Sequence, residues 1–260
     1  MRNPAVDVEL FLEALAQEIR SPLVFRIPAA YESSVRPEIA KAIQYKTGKM
    51  KFRDKLLTST ELVGTLSSIP VVAQVVNVAN KFGPARVVLQ KALGVDARRQ
   101  LPEFDSANFR SDAPQSHNHP VRDGKLSPGK VAVFSTCYVN YNEPGIGHDL
   151  LKLLEHNEVP YVVVKGETCC GMPKLELGDL ESVERSWRAN MPVLAKYAKA
   201  GWAIVSAIPS CTLMFKQELP LMFPDEAEVQ AVKAAFFDPF EYLMARHKDG
   251  LLKTDFNTAL

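Results

Sequence analysis

This sequence of 260 residues has only four cysteines, no Cys-x-x-Cys pair, and no basic run interleaved with aromatic residues. Four cysteines are too few for a disulfide scaffold in a chain this long. Lysine and arginine (31) nearly cancel aspartate and glutamate (30), leaving a formal net charge of +1. No strong field of one sign therefore draws nucleic acid or an anionic membrane to the molecule as a whole. The first residues, Met1 to Glu9, turn acidic early and lack the apolar core of a secretory signal. A reducing, cytoplasmic setting is expected. Charge is also missing from Leu62 to Asn80. A membrane span needs about 20 mostly apolar residues, and this stretch is interrupted by Gly64, Pro70, Gln74, Asn77 and Asn80. An amphipathic helix against protein or a membrane surface is expected in place of a span.

The composition, 47% hydrophobic and 23% charged, is that of an ordinary globular chain with enough length for a useful core. Apolar residues at helical spacing predict a helix over 5–20, and residues 38–57, which carry several basic residues after Pro37, read as another. Two or three short helices follow over 58–94, broken at Pro70 and at Gly83-Pro84, with Gly94 suited to a helix C-terminus. Residues 111–128 shift to Ser, Asp, Pro, Asn, His and Gly and predict a linker. Strands then alternate with helices: strand 131–135, helix 146–156, strand 161–165, helix 179–199, strand 203–207, helix 212–219. Helices over 225–236 and 238–248 close the chain. The expected fold is α/β, a Rossmann-like parallel sheet over 129–252. A helical N-terminal region (1–110) precedes it, and a short tail (253–260) follows.

The four cysteines all follow strand-like runs. Val131 to Thr136 leads into Cys137, Tyr161 to Thr168 into Cys169-Cys170, and Ala203 to Ser210 into Cys211. Right-handed β-α-β units place the carboxyl ends of their strands along one edge, where α/β sheets build their sites. The thiols can therefore converge although they are far apart in sequence. Four thiolates suit a [4Fe–4S] cluster or a structural zinc. Buried reduced cysteines and a vicinal dithiol at Cys169-Cys170 are the remaining readings. His117-Asn-His119 reads as a solvated loop. His148 lies at a helix start near the first cysteine, where it could cap the helix or hydrogen-bond to a centre. Lys165, Lys174 and Lys216 lie near the cysteine turns. Tyr138, Tyr141, Met172, Met214 and Phe215 read as an apolar shell. Gly145-x-Gly147 lacks the third glycine of a dinucleotide fingerprint.

The stretches Thr136-Cys-Tyr-Val-Asn-Tyr-Asn, Cys169-Cys-Gly-Met-Pro and Ile208-Pro-Ser-Cys-Thr-Leu-Met together resemble the cysteine-rich CCG domain family. That family includes the B subunit of heterodisulfide reductase and the C subunit of anaerobic glycerol-3-phosphate dehydrogenase. The likeness runs from about Lys51 to about Leu252, roughly four-fifths of the chain. It implies an iron–sulfur electron-transfer subunit of an oxidoreductase complex. One [4Fe–4S] cluster would be bound by Cys137, Cys169, Cys170 and Cys211. Electrons would pass from a flavin- or ferredoxin-type donor to an acceptor such as quinone. The implied partners are other redox subunits, including a second CCG domain on another chain, with peripheral association on the inner face of the membrane. Relatives begin with a ferredoxin-like module and carry a second CCG domain; neither pattern appears here. Ile208 stands where the fuller motif has a further cysteine, which favours an ordinary cubane over the non-cubane cluster of disulfide cleavage. The alternatives are a heterodisulfide-reductase-like thiol/disulfide catalytic subunit, and a non-catalytic assembly or membrane-docking subunit with zinc or no metal. No general base stands out.

Overall fold

The computed structural model describes residues 52–255. The helix expected over 5–20, and the part of the 38–57 helix before Phe52, lie outside the described residues. The upstream helices are α1 (Phe52–Thr58), α2 (Thr60–Ser67), α3 (Pro70–Lys81) and α4 (Gly83–Leu93). Their breaks fall where the sequence predicts. Pro70 opens α3 after an extended Ile69, and Gly94 ends α4 in the left-handed region at φ 66°. A short α5 (Phe109–Asp112) follows.

The sheet contains β1 (Ser116–His117), β2 (Val131–Val133), β3 (Tyr161–Val163), β4 (Ala203–Val205) and β5 (Phe236–Phe237), in the order β1-β3-β2-β4-β5. β2 runs parallel to both β3 and β4, and β4 runs parallel to β5. β1 pairs with β3 antiparallel. The fold is therefore α/β with a mixed sheet, which corrects the all-parallel expectation. The antiparallel edge comes from residues inside the 111–128 stretch, where Ser116 pairs with Val162 and His117 with Tyr161. The three central strands are shorter than the runs that encode them. Phe134 N–H still bonds Val205 O and Val164 N–H bonds Val133 O, and then the chain turns away into loops.

Helices cover both faces. They are α6 (Cys137–Tyr141), α7 (Pro144–His156), α8 (Met172–Glu176), α9 (Leu180–Lys199), α10 (Pro209–Leu213), α11 (Leu219–Met222), α12 (Ala227–Ala235) and α13 (Pro239–Lys248), with a π-helical turn over Met214–Glu218. Alternate strand residues point to opposite sides. Val131, Val133, Val163 and Val205 join Phe109, Leu151, Leu154 and Tyr242 in one core. Ala132, Phe134, Val164 and Ile204 join Val183, Leu194, Val232 and Phe236 in the other. Each fully buried aliphatic side chain contributes about 1.5–3 kcal/mol, so the two cores fix the sheet between its helical layers. Pro220 explains the π turn. It cannot donate to the carbonyl four residues back and would clash with it. The widened turn bonds Leu219 N–H to Met214 O instead.

Candidate functional site

Each cysteine leaves the sheet through an unusual piece of backbone. Thr136, between β2 and Cys137, adopts φ 65° and ψ 159°. That conformation is essentially restricted to glycine and costs a β-branched residue about 1–3 kcal/mol. It is held because Thr136 Oγ1 accepts the Val139 N–H at 3.1 Å and Thr136 is wholly buried. The kink sets Cys137 at the first position of α6. After β3, Asn190 of α9 clamps the second loop. Its Oδ1 accepts the Thr168 N–H at 2.9 Å, and its Nδ2 donates to Thr168 O and Cys169 O at 3.3 and 3.2 Å. Gly171, at φ 99°, then reverses the chain from Cys170 into α8. Cys211 lies in α10, just before the π turn, with its N–H on Ile208 O at 3.0 Å.

The four thiols are brought together, as the strand-end spacing implies. All four are free; Cys169, Cys170 and Cys211 are buried, and Cys137 is half-buried. Cys137 interacts with Cys169, Cys169 with Cys170, and Cys170 with Cys211. The hydrogen bonds of Cys137 and Cys170, with help from the Thr60 hydroxyl and the Lys174 charge, hold the Cys169 thiol far below the usual range despite burial. Cys137 and Cys170 are pushed up, chiefly by hydrogen bonding to Cys169 and then by burial. The group thus favours the thiolate at Cys169 and the protonated thiol at Cys137 and Cys170. Cluster or metal binding would release those protons. Among the described residues, no three His, Cys, Asp or Glu side chains are already arranged to hold a single metal ion. An all-sulfur set of four donors fits the four-thiolate ligation of an iron–sulfur cluster.

A charged network that the sequence did not reveal braces these loops. Glu167, two residues before Cys169, is fully buried and accepts the Ser135 N–H at 2.9 Å, the Ser135 hydroxyl, and Arg110 Nη2 at 3.0 Å. Burial pushes its carboxyl up to about 7, against the pull of Arg110 and Ser135. Arg110 reaches on to Glu61 of α2 at 2.6 Å. Burial opposes the Arg110 charge, but Glu167 and Glu61 outweigh it and hold the guanidinium above its usual range. The network joins α2, α5 and the loops after β2 and β3. Its two carboxylates are 49 and 57 positions from Arg110, so no local pattern marks them. A buried Glu close to the Cys169-Cys170 pair is the one signal that could have been noticed.

The other expected residues divide. Lys174 stands beside Cys169 and donates to Ser186 Oγ at 2.9 Å. Lys216 instead pairs with Glu241, and Lys165 is exposed. Tyr141, Met172, Met214 and Phe215 are buried, as an apolar shell requires, and Tyr138 is half-buried. His148 lies edge-on to Phe109 and 3.8 Å from Asp112. His117, expected in a solvated loop, stacks on Tyr161 at the sheet edge and on His119. Ile208 is half-buried against both cores. A polar cleft of about 300 Å³ reaches the residue before Cys169, lined by Ser59, Glu61, Thr168, Lys174, Arg185 and Ser186 among others.

Residues 131–216, which contain all four cysteines, match the cysteine-rich domain family CCG. This segment is a CCG cysteine-rich domain. The likeness to known proteins extends beyond the CCG segment. The chain is 29% identical over 178 residues to the C subunit of anaerobic glycerol-3-phosphate dehydrogenase of Escherichia coli (strain K12), covering 68% of this chain and 43% of that protein. It is 26% identical over 126 residues to the B subunit of fumarate reductase (CoM/CoB) of Methanothermobacter marburgensis, covering 48% and 25%. A further relative is an uncharacterized iron–sulfur protein of Methanocaldococcus jannaschii, 31% identical over 78 residues, covering 30% and 15%. The matched part of the chain spans less than half the length of these curated relatives. No solved structure matches it.

Proposed function

We propose that this chain relays electrons within an oxidoreductase complex through one [4Fe–4S] cluster held by Cys137, Cys169, Cys170 and Cys211. The observation that carries this reading is the gathering of four free thiols from three strand ends, with no other ligand type joining them among the described residues. The strand order supports it. β2 and β4 are neighbours whose onward connections leave in opposite directions, the crevice where Rossmann-like sheets place their ligands. Cys137 follows β2 and Cys211 follows β4, so they border that crevice. The names of the relatives, which describe dehydrogenase and reductase subunits and an iron–sulfur protein, support the same reading.

The cluster supplies the one-electron couple. The chain's own residues do the rest. Met172, Met214 and Phe215 exclude water from the sulfurs. Lys174 offsets negative charge at Cys169. The Glu167–Arg110–Glu61 network fixes the two loops relative to each other, so that little rearranges when an electron arrives. Ile208, held by both cores, supports four-thiolate ligation over a five-cysteine catalytic centre. The donor in this reading is a flavin- or ferredoxin-type subunit and the acceptor is of the quinone type. Anaerobic purification with iron and sulfide assays tests the cluster. About four irons and four sulfides per chain, with broad visible absorption, are expected. One zinc and no colour would overturn it. Cleavage of mixed disulfides with a non-cubane EPR signal would move the reading to a catalytic subunit.

The complex would sit on the cytoplasmic face of an anionic membrane through α3 and α4. Val71, Val75, Val78, Phe82 and Val88 are each more than half exposed there. From Leu62 to Val95 the chain carries Lys81, Arg86 and Lys91 and no acidic residue. A basic, apolar hairpin of this kind suits the headgroup region of an anionic bilayer. Among the described residues no single helix is long and apolar enough to cross a membrane. α2 and α3 pass that test only together, and they are bent 107° to each other.

A further inference from the structure

The Thr60 hydroxyl is buried and bonds no nitrogen or oxygen atom among the described residues. It opens α2, far outside the 131–216 segment. A buried hydroxyl without such a partner is costly and calls for an explanation. Its neighbours Ser59 and Glu61 line the polar cleft together with Thr168, the residue before Cys169, and α2 packs on α6, the helix that Cys137 begins. Thr60 therefore lies at the junction of the first and second cysteine loops, where a bound cluster would put charge on both sulfurs.

α2 is latched in that position. Glu61 accepts from Arg110 at 2.6 Å. Thr65 Oγ1 and Tyr141 Oη share a hydrogen bond of 2.9 Å. Gly64 lies so close to the Tyr141 ring that an added Cβ would fall 2.3 Å from it. Tyr141 belongs to α6, the helix that Cys137 begins. The latch thus holds Thr60 in fixed register with Cys137.

We propose that Thr60 is a positioning residue for the redox centre, its hydroxyl sharing its single O–H between the sulfurs of Cys137 and Cys169 so that α2 raises the reduction potential of the cluster. This rests on the cluster reading above. Hydrogen bonds to ligand sulfurs stabilise the reduced, more negative state and are one of the levers that set iron–sulfur potentials. Valine matches threonine in shape but cannot donate, and serine keeps the donor.

The test uses the full chain, loaded anaerobically, as wild type, Thr60→Val, Thr60→Ala and Thr60→Ser. Iron and sulfide content and the midpoint potential from an EPR-monitored redox titration are read for each. Equal iron content is expected throughout. In Thr60→Val and Thr60→Ala the one-electron reduction equilibrium should fall about tenfold, a shift of about 59 mV. Thr60→Ser should restore the wild-type value. A loaded valine variant with the wild-type potential overturns the Thr60 assignment and leaves the cluster reading intact. Loss of the cluster from both the valine and alanine variants overturns a tuning role in favour of a structural one. A wild-type chain without iron and sulfide overturns both.

Discussion

Replacing Asn190 with alanine should loosen the Cys169 loop at a measurable cost in stability. The side chain is wholly buried on α9 and makes three hydrogen bonds to the Thr168-Cys169 backbone. Thr168 is half-buried, so its amide groups can recover part of their loss with water. The Cys169 carbonyl belongs to a fully buried residue and cannot. An orphaned buried acceptor costs about 1–3 kcal/mol, and each ordinary bond lost about 0.5–1.5 kcal/mol. We therefore expect a total of about 2–6 kcal/mol. Urea unfolding of the reduced, metal-free chain, followed by circular dichroism, measures it as a lower midpoint with an unchanged slope. Glu184→Ala is the control, because it breaks only an exposed i,i+4 pair with Arg188, worth at most about 0.5 kcal/mol. If Asn190→Ala cost no more than Glu184→Ala, the clamp would not be holding the loop.

The other expectations concern separate parts of the molecule. Cys211→Ala should abolish the cluster or convert it to a smaller one, and a full four-iron content by metal analysis would remove Cys211 from the ligand set. Asp249 accepts bonds from the backbone of Lys125, Leu126 and Ser127 and from the Ser127 hydroxyl. Those bonds, the Ser127 hydroxyl first, hold its carboxyl below the usual range. A depressed folded-state pKa stabilises above the unfolded value and is lost as pH falls through the folded one. Asp249→Ala should therefore narrow its stability gap to wild type as pH drops below about 4, and a gap constant with pH in denaturation curves would refute this. Val75→Asp with Phe82→Asp should abolish co-sedimentation with anionic vesicles, and binding that persists would take α3 and α4 off the lipid surface.

The central strands, the main helices and the meeting of the cysteines were all legible in the sequence. Their signals are local: β-branched runs, helical spacing, and proline and glycine breaks. What the sequence hid is long-range or conformational. β1 and β5 are two residues each, too short for any periodicity, and exist only because Tyr161 and Ile204 offer them an edge. Arg110 stands next to the stretch read as a linker, and its partners Glu61, Ser135 and Glu167 come from other elements. Thr136 gives no hint of a glycine-like conformation, because threonine is among the residues least suited to it. Thr60 looks like an ordinary residue in the first turn of a helix.

The bends at the three strand ends share one physical logic. A cysteine directly after a straight strand would point its thiol along the strand axis, into a loop or solvent. For thiols from three strands to meet, each chain must bend sharply within one or two residues of its cysteine. Thr136 does this with a glycine-only backbone held by its own side chain. Gly171 does it with a left-handed turn after Cys170. Cys211 does it in a helical turn opened by Pro209 and followed by a π turn. The strain of Thr136 alone is comparable to burying one more aliphatic side chain, at about 1–3 kcal/mol. Packed strand-end cysteines with no further role could adopt relaxed turns and avoid that cost. Replacing Thr136 with glycine, which accepts this φ and ψ freely, separates the strain from the side-chain bond. If the backbone is strained, the loss of the side-chain bond to Val139 should be offset by relief of strain, and stability should change by less than about 1 kcal/mol. A larger loss in urea unfolding would mean that the Val139 bond dominates and that the backbone at Thr136 stores little strain.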